Sequence, residues 1–233
     1  MQARRSASLH ACPPAPAMRT YARQRAALVE TLREKGIRDE RVLAAIAAVP
    51  RHRFIRDTSL HGQAYDDVAL PIGLDQTISQ PFTVAYQTVL LGPQPGERIL
   101  EVGTGSGYQA AVLAELGARV FSVERHRALL ERTNALLAEL GYRVRTRLGD
   151  GTRGWPALAP FDGIIVTAGG RAVPPALLDQ LREPSEGRPG GRLVIPVGDK
   201  DGQRMLRITR MGPERFREEA FAEFRFVPLV SDR

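Results

Sequence analysis

The sequence predicts an α/β fold: a doubly wound, mostly parallel sheet with an N-terminal helical cap and a C-terminal antiparallel β pair. Three observations lead there. From Arg98 onward, short apolar strands alternate with helical stretches, the spacing of β-α-β units joined by right-handed crossovers. The first of these strands runs directly into Gly103, Gly105 and Gly107. The chain has 233 residues, 43% of them hydrophobic, so it is long enough to bury one sizeable core.

Residues 1–17, rich in Ala, Pro and Ser, read as a disordered tail, and 18–233 as a single domain. Within it, 18–92 make the helical cap and active-site segment, and 93–233 the α/β core and closing strands. Tyr21, Leu28, Val29 and Leu32 fall near helical spacing between Thr20 and Lys35, and Gly36 stops that helix. A second helix takes Asp39 as N-cap, aligns Val42, Leu43, Ile46 and Val49, and ends before Pro50. Residues 51–75 read as irregular, and a polar island from Gln76 to Pro81 leads into a helix over 82–91. Strands are expected at 98–102, 119–124, 144–148, 163–167 and 192–197, with helices over 108–116, 128–140 and 174–181. Met205–Thr209 and Phe224–Val227 are the expected closing pair.

Composition excludes several classes of protein. The 33 basic and 26 acidic side chains leave a net charge of +7, but nearly all the bases are arginines spread along the chain, so no nucleic-acid surface is predicted. No apolar run approaches the roughly 18 residues of a membrane span. Cys12 alone allows neither a disulfide framework nor a clustered-cysteine metal site, and no metal is expected. Prolines 13, 14 and 16 interrupt any apolar core of a secretion signal, so a cytoplasmic protein is the expectation; a monomer is expected besides.

The chemistry concentrates in Ile99-Leu100-Glu101-Val102-Gly103-Thr104-Gly105-Ser106-Gly107. Three glycines at alternate positions let the backbone pass close to a ligand at the carboxyl end of a strand. Tyr108 stands where the dinucleotide fingerprint needs a glycine, and the phosphate-loop pattern is absent, so a nucleoside without pyrophosphate fits better. Glu124, about 20 residues beyond the first glycine, is placed to accept two ribose hydroxyls. Asp150, between Gly149 and Gly151, stands on the same sheet edge, where a carboxylate can accept an adenine amino group. Together these residues describe an adenosine site, and the phosphate-free adenosine cofactor is S-adenosyl-L-methionine.

Beyond that turn, the chain resembles the protein-L-isoaspartate (D-aspartate) O-methyltransferase family from about Tyr21 to Leu229. The resemblance rests on Val49-Pro50-Arg51-His52-Arg53-Phe54, Ala69-Leu70-Pro71-Ile72-Gly73, Tyr108-Gln109-Ala110-Ala111-Val112-Leu113-Ala114, Gly149-Asp150-Gly151, Pro160-Phe161-Asp162 and Val227-Pro228-Leu229. Its most specific element is Gln76-Thr77-Ile78-Ser79-Gln80-Pro81. The resemblance implies a Rossmann-like, S-adenosylmethionine-dependent methyltransferase fold. It also implies transfer of a methyl group to the free carboxylate of L-isoaspartyl, and also D-aspartyl, residues in damaged proteins and peptides. The ester collapses through a succinimide toward normal aspartate, and S-adenosyl-L-homocysteine is the other product.

By the same resemblance, Ser79 is the catalytic serine. Ile78, Gln80, Gly103, Thr104, Gly105, Gly107, Glu124, Arg125, Asp150 and Gly151 belong to the cofactor site. Thr77, Thr167, Ala168, Val227, Pro228 and Leu229 lie near the peptide. A carboxylate is already ionised at neutral pH, so its attack on a methyl carbon needs no general base, which suits a hydroxyl residue here. The competing role for Ser79 and Thr77 is to cap the following helix. His52, His61 and Trp155 are expected to pack rather than react. Leu74-Asp75, Gly169-Gly170 and a long 182–189 link depart from the family pattern and bear on the width of the peptide groove.

Overall fold

The computed structural model describes residues 16–199 and 201–231. A seven-stranded sheet carries the domain, in the order β5-β4-β3-β6-β7-β8-β9. Strands β3 (Arg98–Val102), β4 (Arg119–Glu124), β5 (Val144–Leu148), β6 (Gly163–Val166) and β7 (Arg192–Gly198) are parallel, and β8 (Gln203–Arg210) and β9 (Phe216–Phe224) continue antiparallel. Because β4 and β6 flank β3 on opposite sides, the winding reverses at β3, and its carboxyl end opens onto a crevice.

The central parallel strands β3, β6 and β7 are apolar because both faces of the sheet are covered there, whereas the edge strand β5 alternates arginines with Val144, Thr146 and Leu148. Side chains alternate along β3: Ile99 packs with Leu90, Leu91 and Leu113 on one face, while Leu100 and Val102 meet Leu177 and Leu181 on the other. Helices α4 (Tyr108–Glu115) and α5 (Arg127–Glu139) join the first layer to the cap, formed by α1 (Pro16–Glu34) and α2 (Glu40–Ala48). Asp39 caps α2 as expected, its carboxylate accepting the Arg41 N–H at 3.0 Å. Arg51, 0% exposed, anchors the cap: its guanidinium lies 4.9 Å from the Tyr108 ring centroid and donates to Val68 O at 3.1 Å. The short helix α6 (Pro175–Asp179) lies beside the opposite face.

Three expectations change. The expected tail lies outside the described residues up to residue 15, but Pro16 and Ala17 already belong to α1. The stretch 51–75 holds two 3-10 turns and, with Gln76–Ile78, an antiparallel hairpin of β1 (Leu70–Gly73) and β2 (Gln76–Ile78). Its two turn residues, Leu74 (φ 54) and Asp75 (φ 55), replace the Asn-Gly or Asp-Gly pair that normally announces such a turn, which hides it in the sequence. The partner of β8 is Phe216–Phe224, not Phe224–Val227, because a charged edge strand lacks the apolar run that marks a buried one. Beyond Phe224 the chain crosses to β6: Gly169 N–H donates to Val227 O and Leu229 N–H to Gly169 O, both at 2.8 Å. The 183–189 link is exposed and is closed by paired hydrogen bonds between Ser185 and Arg188.

Gly107 tests how tightly the glycine turn seats against α5. At φ +86 a side chain is strained, and a Cβ there meets Thr133 Cγ2 at 2.6 Å. Gly107→Ala should therefore lower folding stability by about 1–3 kcal/mol, read as a lower urea midpoint at unchanged m-value.

Candidate active site

The site is built on the turn after β3. Gly103 (φ +97) and Gly105 (φ +52) reverse the chain, and Gly103 has no room for a Cβ, which would stand 2.5 Å from Thr167 Oγ1. That hydroxyl donates to Gly103 O at 2.7 Å, pinning the turn to the end of β6. On the β4 side, Glu124 Oε2 accepts Gly105 N–H at 2.8 Å and its Oε1 accepts His126 N–H at 2.9 Å. A carboxylate accepts in about four directions, so two bonds to the backbone leave capacity for a vicinal diol.

Above the turn lies a cavity of about 330 Å3, within the usual range for a small-molecule site. Gly103 to Ser106 form its floor, Glu124 and Arg125 one wall, and the hairpin tip from Leu74 to Ser79 another. The segment Val227–Val230 completes it, held by the Arg125 guanidinium donating to Val230 O at 3.1 Å. A second cavity, of about 490 Å3, adjoins it and is walled by Phe82, Phe224 and Phe226. Thr77, Ser79, Thr167 and Val227 line both.

Most of the predicted residues converge. Ile78, Ser79, Gly103, Thr104, Gly105, Glu124, Arg125 and Gly151 face the first cavity, as do Thr77, Thr167, Ala168, Val227, Pro228 and Leu229. Three do not line it. The Gln80 amide turns away to donate to Asp67 Oδ2 at 3.0 Å and faces the second cavity. Gly107 lies beneath the turn against Thr133 and Leu137. Asp150 stands behind Gly151, where its Oδ1 accepts Thr152 N–H (2.8 Å) and Thr152 Oγ–H (2.7 Å) and caps the 151–153 turn. Helix α3 (Pro81–Leu91) is not capped by Ser79 or Thr77: Asp67 accepts its Phe82 N–H. His52 stacks on Tyr21 with ring centroids 4.0 Å apart and bonds Tyr65 Oη at 2.6 Å, a packing role. Burial, with His61 and Arg25 adding to it, pushes His52 down to about 4. Trp155 packs edge-on to Phe121 and takes no part in either cavity wall.

Glu101 is the residue the sequence reading passed over. It is 0% exposed, accepts from Ser122 Oγ at 2.5 Å through Oε2, and leaves Oε1 unpartnered at the first cavity. Burial pushes its carboxyl up to about 8, against the Ser122 hydrogen bond and helped by the nearby Glu124 charge, so it is largely protonated at neutral pH. The available signal was a lone carboxylate inside the apolar run Ile99-Leu100-Glu101-Val102. The close-approach turn, the Glu124 acceptor and the unpaired Glu101 oxygen fit an adenosine ligand bearing an amino-acid tail.

Topology, turn and cavity define an S-adenosylmethionine-dependent methyltransferase. Residues 23–233 match the family described as protein-L-isoaspartate(D-aspartate) O-methyltransferase. A protein-L-isoaspartate O-methyltransferase of Salinibacter ruber is 64% identical over 218 residues, spanning 92% of this chain and 94% of the relative. A solved protein-L-isoaspartate O-methyltransferase superposes with a TM-score of 0.79 at 29% identity, over 89% of this chain and 66% of that one. A Plasmodium falciparum structure, described as such an enzyme in complex with S-adenosyl-L-homocysteine, shares the fold at a TM-score of 0.74 and 24% identity, over 88% of this chain and 98% of that one. The chain belongs to the protein-L-isoaspartate(D-aspartate) O-methyltransferase family.

Glu101 makes the ligand-free protein pH-sensitive. An ordinary glutamate titrates near 4.5, so the stability owed to the neutral buried form is complete below that pH and is lost as the pH climbs to about 8. Glu101→Gln removes the titration, so the melting temperature of the variant relative to wild type should rise between about pH 5 and about pH 8.5.

Proposed function

We propose that the first cavity holds S-adenosylmethionine, that the second receives the isoaspartyl segment of a damaged protein or peptide, and that methyl transfer takes place where they meet, at Ser79. The observation that carries this reading is the shared wall: Thr77, Ser79, Thr167 and Val227 face both cavities. When bound, the cofactor would supply an electrophilic methyl carbon on a cationic sulfur, the leaving group that a carboxylate oxygen can displace.

What remains for the protein is orientation and exclusion of water, which well-positioned systems turn into as much as about 7–11 kcal/mol of barrier reduction. Glu124 holds the ribose diol with the acceptor capacity its backbone bonds leave. Gly151, with Asp150 behind it, borders the base. The Ser79 hydroxyl donates to the substrate carboxylate or the adjoining peptide and turns one oxygen toward the methyl group. No base is required, since the nucleophile is ionised at neutral pH. The D-aspartyl acceptor, a monomeric state and a cytoplasmic setting belong to the same proposal. A nucleic-acid acceptor is the rival. Against it, β6 runs into Val166-Thr167-Ala168-Gly169-Gly170 rather than an amino-methylating Asn/Asp-Pro-Pro-aromatic motif, and several arginines are tied into ion pairs, as in Arg182–Asp162 and Arg192–Glu97.

Labelled methyl transfer to a matched pair of peptides, isoaspartyl and aspartyl at one position, tests the reading. Label on the isoaspartyl peptide alone, lost in mild base as an ester, is the expected result; label on neither, with cofactor binding intact, would transfer the reading to another acceptor. Ser79→Ala should lower kcat roughly 10- to 100-fold, the worth of one hydrogen bond to a charged group, and leave cofactor affinity within about twofold. Glu124→Ala should do the reverse, weakening cofactor binding roughly 100-fold or more in calorimetric titration.

A further inference from the structure

Ser79 makes no hydrogen bond of its own that would hold it in the wall between the cavities, so its place depends on the residues either side. On the N-terminal side the hold is strand pairing: Ile78, 2% exposed, ends β2 opposite Leu70. On the C-terminal side it is a single carboxylate. Pro81, at the first position of α3, has no N–H to offer, and the Gln80 side chain makes no cap. Asp67, fifteen residues earlier, does the work of the cap: its Oδ1 accepts Phe82 N–H at 2.7 Å, and its Oδ2 accepts Gln80 Nε2 at 3.0 Å.

The Asp67 side chain is 7% exposed, and Lys35, at the end of the cap helix, completes its surroundings with Nζ 2.5 Å from Oδ2. Lys35 itself is 45% exposed, so the ion pair contributes little; the two bonds to the residues that follow Ser79 are the structural link. A negative charge at the start of α3 also suits the helix dipole, which favours an acid over its amide here.

We propose that Asp67 is a positioning residue for methyl transfer: by gripping Gln80 and Phe82 N–H it sets Ser79 at the junction of the cavities and acts on the transfer step, not on cofactor binding. The inference rests on the reading that Ser79 orients the substrate carboxylate. An Asp67→Asn amide can satisfy only one of the two donors, since its Nδ2 meets either Gln80 Nε2 or Phe82 N–H donor to donor. Pairing it with Gln80→Glu restores a donor-acceptor match and keeps the negative charge beside Lys35.

The test is a double-mutant cycle on isoaspartyl-peptide methylation at saturating peptide, with wild-type turnover as the control that the reading of the site holds. Asp67→Asn should lower kcat about tenfold, with affinity for S-adenosyl-L-homocysteine within about twofold. Adding Gln80→Glu should recover most of that loss, and Asp67→Asn should cost nothing further in a Ser79→Ala background. Should Asp67→Asn fail to fold, Gln80→Met carries the test alone, with a loss of about threefold or more in kcat at unchanged cofactor affinity. Unchanged kcat in the folded variant, a loss that multiplies with Ser79→Ala, or a parallel fall in cofactor affinity would each overturn the proposal.

Discussion

The hydrogen bond from Gly105 N–H to Glu124 Oε2, 2.8 Å long, is the constraint from which the site follows. It ties the turn after β3 to the end of β4, while the Thr167 hydroxyl ties the same turn to the end of β6. The floor of the first cavity is thus suspended between two neighbouring strands at the point where the sheet reverses its winding. A loop with three positive-φ glycines has little stiffness of its own. It is rigid here because each exposed face of its backbone is met by a fixed acceptor or donor on the sheet, and Thr133 Oγ1 holds Gly105 O from α5 at 2.7 Å.

The electrostatics of that floor are asymmetric. Two carboxyls stand close together at the cavity, and they divide the burden: Glu101, fully buried, is pushed toward its neutral form, while Glu124 is held by two backbone N–H groups. The other half of the site, the hairpin and the Ser79 segment, packs with the cap, where Leu70, Ile72 and Ile78 share one core with Leu28, Val42 and Ile46. Its position also depends on long-range side-chain anchors, among them Asp67, Arg51 to Val68 O, and Arg132 to Ile72 O at 2.9 Å.

The parts legible beforehand are those in which local physics and the fold agree. Strands β3 and β4 lie where their apolar residues and flanking glycines put them, β5 where alternation between Gly141 and Gly149 puts it, and the Asp39 cap is as read. Where local signals were absent, the reading failed. Leu74 and Asp75 occupy left-handed conformations that neither residue advertises, so the β1–β2 hairpin was missed. The edge strand Phe216–Phe224 carries Arg217, Glu218, Glu219 and Glu223, so its sequence lacks the apolar signature that the shorter aromatic stretch beyond it presents.

Sequence by itself determined the parallel strands, the glycine turn and many of the residues that line the first cavity, because strand burial and backbone permissiveness are properties of a few adjacent side chains. Only the tertiary structure decided which of those residues face the first cavity and which stand behind it. Gln80, Gly107 and Asp150 read as cofactor contacts; the structure bonds Gln80 to Asp67, seats Gly107 against α5 and bonds Asp150 to Thr152, while Glu101 reads as a strand residue and borders the first cavity. The physical reason is that a side chain's hydrogen-bond partners here lie up to dozens of residues away in the chain, as Lys35 and Asp67 do, and chain folding alone brings them into reach.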